Sequence, residues 1–178
     1  VCLSVSQQKC DIAMAGLTIN EEGEEYVTFT DSYYSASQRL IVPSNVTTFD
    51  DCKTADDVAA KLAETKSSDQ IGVQQGTTGH IYCSDTPEKG GFGEDHVTAY
   101  PNGASAIQAL QTGKVDAVVI DNEPAKAFVA ENPGLKILDT EYVTEDYAIA
   151  VKKGNTELLN QINETLAKLK ADGTLQSI

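Results

Sequence analysis

Positive charge is scarce in this sequence. Lys and Arg number 13 against 27 Asp and Glu, a formal net charge of −14 over 178 residues. Phosphate backbones and anionic lipid surfaces are held by clustered cations, so nucleic acid and anionic membrane are excluded as partners. The acidity reads instead as a solvated, soluble surface. Arg39 is the only arginine. No apolar run approaches the roughly 20 residues that a membrane span needs, and no basic segment with an apolar core opens the chain. Cysteine is limited to Cys2, Cys10, Cys52 and Cys83, without a CxxC pair. That spacing excludes a zinc ribbon and a thioredoxin-like motif; free, buried thiols are the expected state, and Cys2 with Cys10 is the first pair to test for a disulfide. Histidine is limited to His80 and His96, with no nucleophile elbow, phosphate loop or triad beside them. His80 and Cys83 are spaced to share a helix face, but two ligands make no metal site. Neither catalysis nor a cofactor is indicated.

Hydrophobic residues make up 40% and charged residues 22%, an ordinary globular composition in a chain long enough for one domain or two small lobes. Its pattern centres on residues 9–34, where Lys9-Cys10-Asp11 leads into the apolar run from Ile12 to Leu17 and then Thr18. The same grammar returns in Gly113-Lys114-Val115-Asp116, followed by Ala117-Val118-Val119-Ile120 and then Asp121. Continuous apolar runs of this kind suit buried parallel strands, and ligands in open α/β sheets sit beyond the carboxyl ends of strands. Thr18 and Asp121 occupy those ends. Two lobes, each offering one strand end, would make a cleft.

Read in order, residues 11–17 suggest a strand buried on both faces, 20–25 a polar acidic turn, and 26–29 a second short strand. A polar connector at 31–37 precedes a strand at 40–42, with a first crossing between lobes near 35–38. A helix is expected over 55–65 with Val58, Ala59 and Leu62 on one side, turned by Ser67, Ser68 and Asp69. A strand at 71–73 runs into Gln74-Gln75-Gly76-Thr77-Thr78-Gly79, a loop that opens a helix near His80 and could hold a carboxylate. Residues 88–95, with Gly90, Gly91 and Gly93, read as a flexible surface loop. After a strand at 97–100, Asn102 caps a helix over 104–112. The strand at 117–120 is followed by a helix from Pro124, for which Asp121 could serve as an N-cap instead of a ligand group. A strand at 136–138, a polar second crossing at 140–146 and a strand at 147–151 lead to a helix over 156–171. Leu158, Leu159, Ile162, Leu166 and Leu169 form the apolar stripe of that helix. Strand and helix alternation of this kind argues an α/β chain.

Asp11-Ile12-Ala13-Met14-Ala15-Gly16-Leu17-Thr18 with Val27-Thr28-Phe29-Thr30-Asp31-Ser32-Tyr33-Tyr34 resembles the signature of extracytoplasmic solute-binding proteins of ABC importers, polar amino-acid branch. Ile71-Gly72-Val73-Gln74-Gln75-Gly76-Thr77-Thr78-Gly79, Gly113-Lys114-Val115-Asp116-Ala117 with Asp121, and Ala171-Asp172-Gly173-Thr174-Leu175 agree in the same order. The resemblance implies an α/β, two-lobed periplasmic-binding-protein-like fold with two crossing segments. Lobe 1 would be 1–37 with 147–178, lobe 2 would be 38–146, and lobe 1 would be incomplete, in a chain trimmed at both ends. It further implies Gly16 and Thr18 at the ligand carboxylate, Thr77 and Thr78 approaching from the second lobe, Gln74 near the side-chain end, and Asp121 on the ammonium. A buried zwitterion needs a carboxylate at one end and several donors at the other, which agrees.

At one position the chain departs from the pattern. The arginine that would grip the ligand carboxylate in a two-pronged bond is replaced by Gly23, and losing such a partner costs on the order of 2–5 kcal/mol. The implied partners are a polar amino acid and the membrane permease of an ABC importer; the implied location is extracytoplasmic, periplasmic or lipid-anchored. A ligand-sensing receptor module and a dehydratase-like enzyme are the alternatives on the same fold. An incomplete first lobe would leave a sheet edge and the face of the 156–171 helix open, from which a homodimer or strand exchange is expected. The most informative sequence change suggested by this reading is Gly23→Arg.

Overall fold

A computed structural model describes residues 1–64 and 70–177 of the chain. They divide into two compact units, Val1–Ala36 with Glu145–Ile178, and Ser37–Thr144.

The first unit begins with the short helix α1 (Cys2–Ser6) and the strand β1 (Ile12–Thr18). Residues 20–25, read from sequence as a turn, instead form helix α2 (Glu21–Tyr26). The Asn20 side chain accepts the Gly23 N–H at 2.7 Å, and Glu21, Glu22 and Glu24 in the first turn complement the helix dipole. The acidic residues that looked like a turn are a helix start. Strand β2 (Val27–Phe29) follows. Both strands pair antiparallel with the last third of a later strand: Ile12 lies opposite Val151, and Thr28 opposite the same residue from the other side. The expectation of a parallel β1 buried on both faces is therefore wrong. Ala13 faces a small core with Val5, Val27 and Ala150, while its neighbours Ile12 and Met14 project from the other face at 42% and 57% exposure. In the strand order β1 is an edge, and its apolar run is covered only on the face that carries Ala13. The closing helix of this unit runs over Thr156–Ala171, with Asn155 accepting from the Leu158 N–H. Of its expected stripe only Leu166 is fully buried.

Strand β3 (Tyr34–Pro43) carries the chain into the second unit. There follow α3 (Ala55–Glu64), β4 (Ile71–Gln74), α4 (Thr78–Ser84), β5 (Val97–Tyr100), α5 (Gly103–Gln111), β6 (Ala117–Asp121), α6 (Asn122–Glu131) and β7 (Leu135–Lys152); the helix over 156–171 is α7. The expected Leu62 stripe position and the turn at Ser67, Ser68 and Asp69 lie outside the described side chains and residues. The two strands and the crossing expected over 136–151 are one 18-residue strand, because the polar segment between them continues the extended backbone.

Strand β6 pairs parallel with β4 and antiparallel with β3, and β4 pairs parallel with β5. Alternate residues sort onto two faces: Leu40, Val42, Ala117 and Val119 join one core with Val58 and Cys83, whereas Ile41, Val118 and Ile120 join another with Ala106, Leu110 and Ala125. The sheet of this unit is thus covered on both sides, and the uninterrupted apolar run of β6 follows from that.

The glycine-rich segment at 88–95 is not a free surface loop. Phe92 donates its N–H to the Cys83 carbonyl at 2.8 Å and Gly93 to the Asp85 carbonyl at 2.9 Å, satisfying groups at the C-terminal end of α4. The Tyr142 hydroxyl donates to the Gly90 carbonyl at 2.6 Å, and its ring stacks on Phe92 at 5.3 Å. Burial pushes the Tyr142 phenol well above its ordinary range. The four cysteines are free, with Cys83 buried and Cys10 exposed.

Candidate functional site

In the second unit the polar groups gather at the carboxyl ends of β4 and β6. Asp121 closes the buried run Ala117-Val118-Val119-Ile120, where an unpartnered carboxylate would be costly. Its Oδ1 accepts from Nε2 of Gln38, the residue directly opposite it on β3. Gln38 is 1% exposed, so this amide holds the carboxylate from behind while Asp121 itself stays only half-buried. Space for Gln38 depends on Gly79, where a Cβ would lie 2.7 Å from Gln38 Oε1. Although Asp121 stands at the N-cap position of α6, its side chain makes no cap hydrogen bond there. The capping role weighed from sequence is not the one it performs.

Gln74 ends β4, half-buried, and its carbonyl accepts the Thr77 hydroxyl at 2.8 Å. Thr77 also caps α4, accepting the His80 N–H at 3.4 Å. His80 Nδ1 accepts the Gly76 N–H at 3.2 Å, so this ring braces the loop. Thr78, half-buried, is the first residue of α4. Gln74, Thr77 and Thr78 thus belong to one strand-to-helix turn, with Gln38, Gly79 and Asp121 packed beside it.

In the first unit, Gly16 and Thr18 lie at the end of β1. The Gly16 N–H is given to the Tyr33 hydroxyl at 3.3 Å, and the Thr18 hydroxyl donates to Oε2 of Glu145. Glu145 is 7% exposed at the point where β7 enters this unit. Gly16 has φ +60, a conformation strained for other residues, and a Cβ there would crowd the Tyr147 ring at 3.3 Å, so both observations favour glycine. The Tyr147 ring packs against Tyr34 with centroids 5.9 Å apart. An open cavity of about 420 Å³ in the same unit is lined by Ile19, Glu24, Phe29 and Lys153 among others, and by none of the predicted residues.

Gln38, Glu145 and Tyr147 escaped the sequence reading. The signal for Gln38 was present: an amide two residues before the Leu40-Ile41-Val42 run mirrors a carboxylate immediately after the β6 run. Glu145 had none, being one acid among several in a polar segment. Arg39, the only guanidinium, is committed elsewhere, donating to the Asp139 carbonyl at 2.6 Å and pairing with Glu141 at 3.1 Å.

Gly23 is not an open position awaiting an arginine. It is buried, and a Cβ there would lie 2.8 Å from Cζ of Phe29 and 3.1 Å from Asn20 Oδ1. Replacing a helical glycine gains at most about 1 kcal/mol of propensity, whereas overpacking costs about 1–3 kcal/mol. Gly23→Arg is therefore expected to lower stability by roughly 1–2 kcal/mol net of propensity. A urea melt with an unchanged midpoint would show instead that Phe29 swings aside freely.

The sequence profile described as bacterial extracellular solute-binding proteins, family 3, matches residues 2–178. The ABC transporter arginine-binding protein 1 of Escherichia coli (strain K12) is 31% identical over 180 residues, which cover 98% of this chain and 67% of that protein. The ABC transporter glutamine-binding protein GlnH of Bacillus subtilis (strain 168) is 30% identical over 168 residues, 94% of this chain. The chain spans 56% of the length of that relative. Among solved structures, an ancestral arginine-binding protein bound to arginine superposes with a TM-score of 0.78 at 35% identity, covering 99% of this chain and 73% of the other. The α/β periplasmic-binding-protein fold expected from the sequence is the fold of these neighbours.

Proposed function

The chain belongs to the bacterial extracellular solute-binding proteins of family 3, and from that premise we propose that it binds a polar amino acid for an ABC importer, with Asp121 as the counter-charge of the ligand ammonium. The observation that carries the proposal is the Gln38–Asp121 pair: a half-buried carboxylate at the end of a buried strand, held from behind by a buried amide and making no cap bond to its own helix. Gln74, Thr77 and Thr78, at the carboxyl end of the neighbouring strand β4, are the polar groups proposed to accompany Asp121 in contacting the ligand. The relatives named above are binding proteins for arginine and glutamine, which supports the ligand class and a role other than catalysis. The importer's membrane permease is the partner this reading implies. A location outside the cytoplasm, in a periplasm or on a lipid anchor, agrees with the family's extracellular description. No helix among the described residues is long and apolar enough to cross a membrane.

A thermal-shift panel of the L-amino acids tests the reading. A ligand at a hundredfold of its Kd stabilises the folded state by about 2.7 kcal/mol, which at roughly 2–4 °C per kcal/mol for a chain of this size is a shift of about 5–10 °C. The expected result is a shift of that size for a subset of polar amino acids and none for leucine or valine. A flat panel would overturn the proposal.

A further inference from the structure

Gly79 is a glycine that its own helix does not call for. It is buried in the first turn of α4, and it is not among the glycines with positive φ. Alanine is the better helix former. What favours glycine here is a close approach. Of the atoms that a Cβ would meet, the side chain and carbonyl of Val119 lie at 3.4 Å, an ordinary contact, whereas Oε1 of Gln38 lies at 2.7 Å. The absent methyl group therefore makes room for one atom, the amide oxygen of Gln38.

The other arm of that amide is committed too. A carboxylate only accepts hydrogen bonds, so the amide turns Nε2 toward Oδ1 of Asp121 and Oε1 away from it. The β3–β6 register sets Gln38 directly opposite Asp121, and at 1% exposure its side chain is enclosed by protein. Gln38 is thus wedged between Gly79 and Asp121. Oε1 and Nε2 share one rigid plane, so a methyl group that pushes the oxygen also moves the nitrogen that holds the carboxylate. A charge that grips a ligand works only when it is held within about 0.5 Å of its productive place.

We propose that Gln38 and Gly79 act as a positioning pair for Asp121: Gly79 keeps open the space in which the Gln38 amide stands, and the amide fixes where the carboxylate meets the ligand ammonium. The inference rests on the amino-acid-binding reading above and extends it to a residue with no side chain to offer a ligand. Gly79 directly follows Thr77 and Thr78, so the strand-to-helix turn and the carboxylate abut the same buried amide.

Isothermal titration with L-arginine, L-glutamine and every other amino acid that shifts the melting temperature reads this coupling in four proteins: unaltered, Gly79→Ala, Gln38→Leu, and the two substitutions combined. Leucine ends one atom short of Oε1 and has no N–H to give. Each single substitution is expected to weaken binding about tenfold, the loss of a hydrogen bond to a charged group. In the Gln38→Leu protein, Gly79→Ala should add less than about threefold, because the amide it displaces is gone; independent sites would instead multiply to about a hundredfold. A glycine needed only to seat α4 would weaken binding equally in both backgrounds. That result, or a single substitution that leaves affinity within about threefold of the unaltered protein, overturns the positioning role and leaves amino-acid binding intact. Were Gln38→Leu not to fold, Gln38→Ala, which also clears the space beside Gly79, takes its place. Binding of no amino acid by the unaltered protein overturns the underlying reading together with this one.

Discussion

Asp121→Asn is expected to weaken amino-acid binding by roughly thirtyfold to several thousandfold, the about 2–5 kcal/mol lost when one partner of a buried, hydrogen-bonded charge pair is removed. The substitution is chosen to leave the fold in place. Asparagine keeps an oxygen that can accept from Nε2 of Gln38, the partner Asp121 has on β3. No cap bond to α6 is lost, since Asp121 makes none with its side chain. The about 0.5–2 kcal/mol that a cap would contribute is therefore not at stake. Calorimetric titration alongside a thermal melt reads the two effects separately. A lost affinity at an unchanged melting temperature agrees with the role proposed for Asp121, whereas unchanged affinity would remove Asp121 from the site.

The largest stability effect is expected at Gly91, which packs on the C-terminal end of α4. A Cβ at this position would stand 2.1 Å from the Asp85 carbonyl oxygen and 2.6 Å from that of Tyr82. Both atoms are backbone, at the C-terminal end of α4, and cannot rotate away as a side chain could. The neighbouring bonds hold the segment in place: Gly91 N–H to the Thr86 carbonyl at 3.0 Å, Phe92 N–H to the Cys83 carbonyl at 2.8 Å, and the Tyr142 hydroxyl to the Gly90 carbonyl at 2.6 Å. To admit a methyl group, the segment must give up several of these together. Gly91→Ala is accordingly expected to cost about 3 kcal/mol, the upper end of ordinary overpacking penalties. Chemical denaturation measures the loss. A change below about 0.5 kcal/mol, typical of surface positions, would mean that the segment is as loose as its three glycines suggest in the sequence.

Gly91 shows why part of the fold was hidden. Glycine-rich sequence signals conformational freedom, and the same residue type also permits the closest approach of two backbones. Which use applies depends on what lies opposite, here the end of α4, and sequence periodicity carries no information on that. The misreading of β1 has a similar origin. Ile12-Ala13-Met14-Ala15-Gly16-Leu17 has the continuous apolar character of a strand covered on both sides, yet only the Ala13 face packs on a core, which leaves Ile12 and Met14 exposed. Residues 20–25 were legible in principle: Asn20 followed by three acids within four residues is a helix start, and the acids outweighed the cap in the reading.

By itself the sequence determined the alternation of strands and helices, the buried run of β6, the Asn102 cap on α5 and Asp121 as the acid at a strand end. These are local properties, set by periodicity, capping chemistry and the cost of a carboxylate beside apolar residues. Tertiary structure alone decided what those groups face. It set Gln38 behind Asp121 through the β3–β6 register, filled the space beside Gly23 with Phe29, and brought Glu145 to Thr18 across 127 positions of chain. A hydrogen bond's worth to a ligand depends on whether its donor is already engaged, and that is fixed by partners distant in sequence.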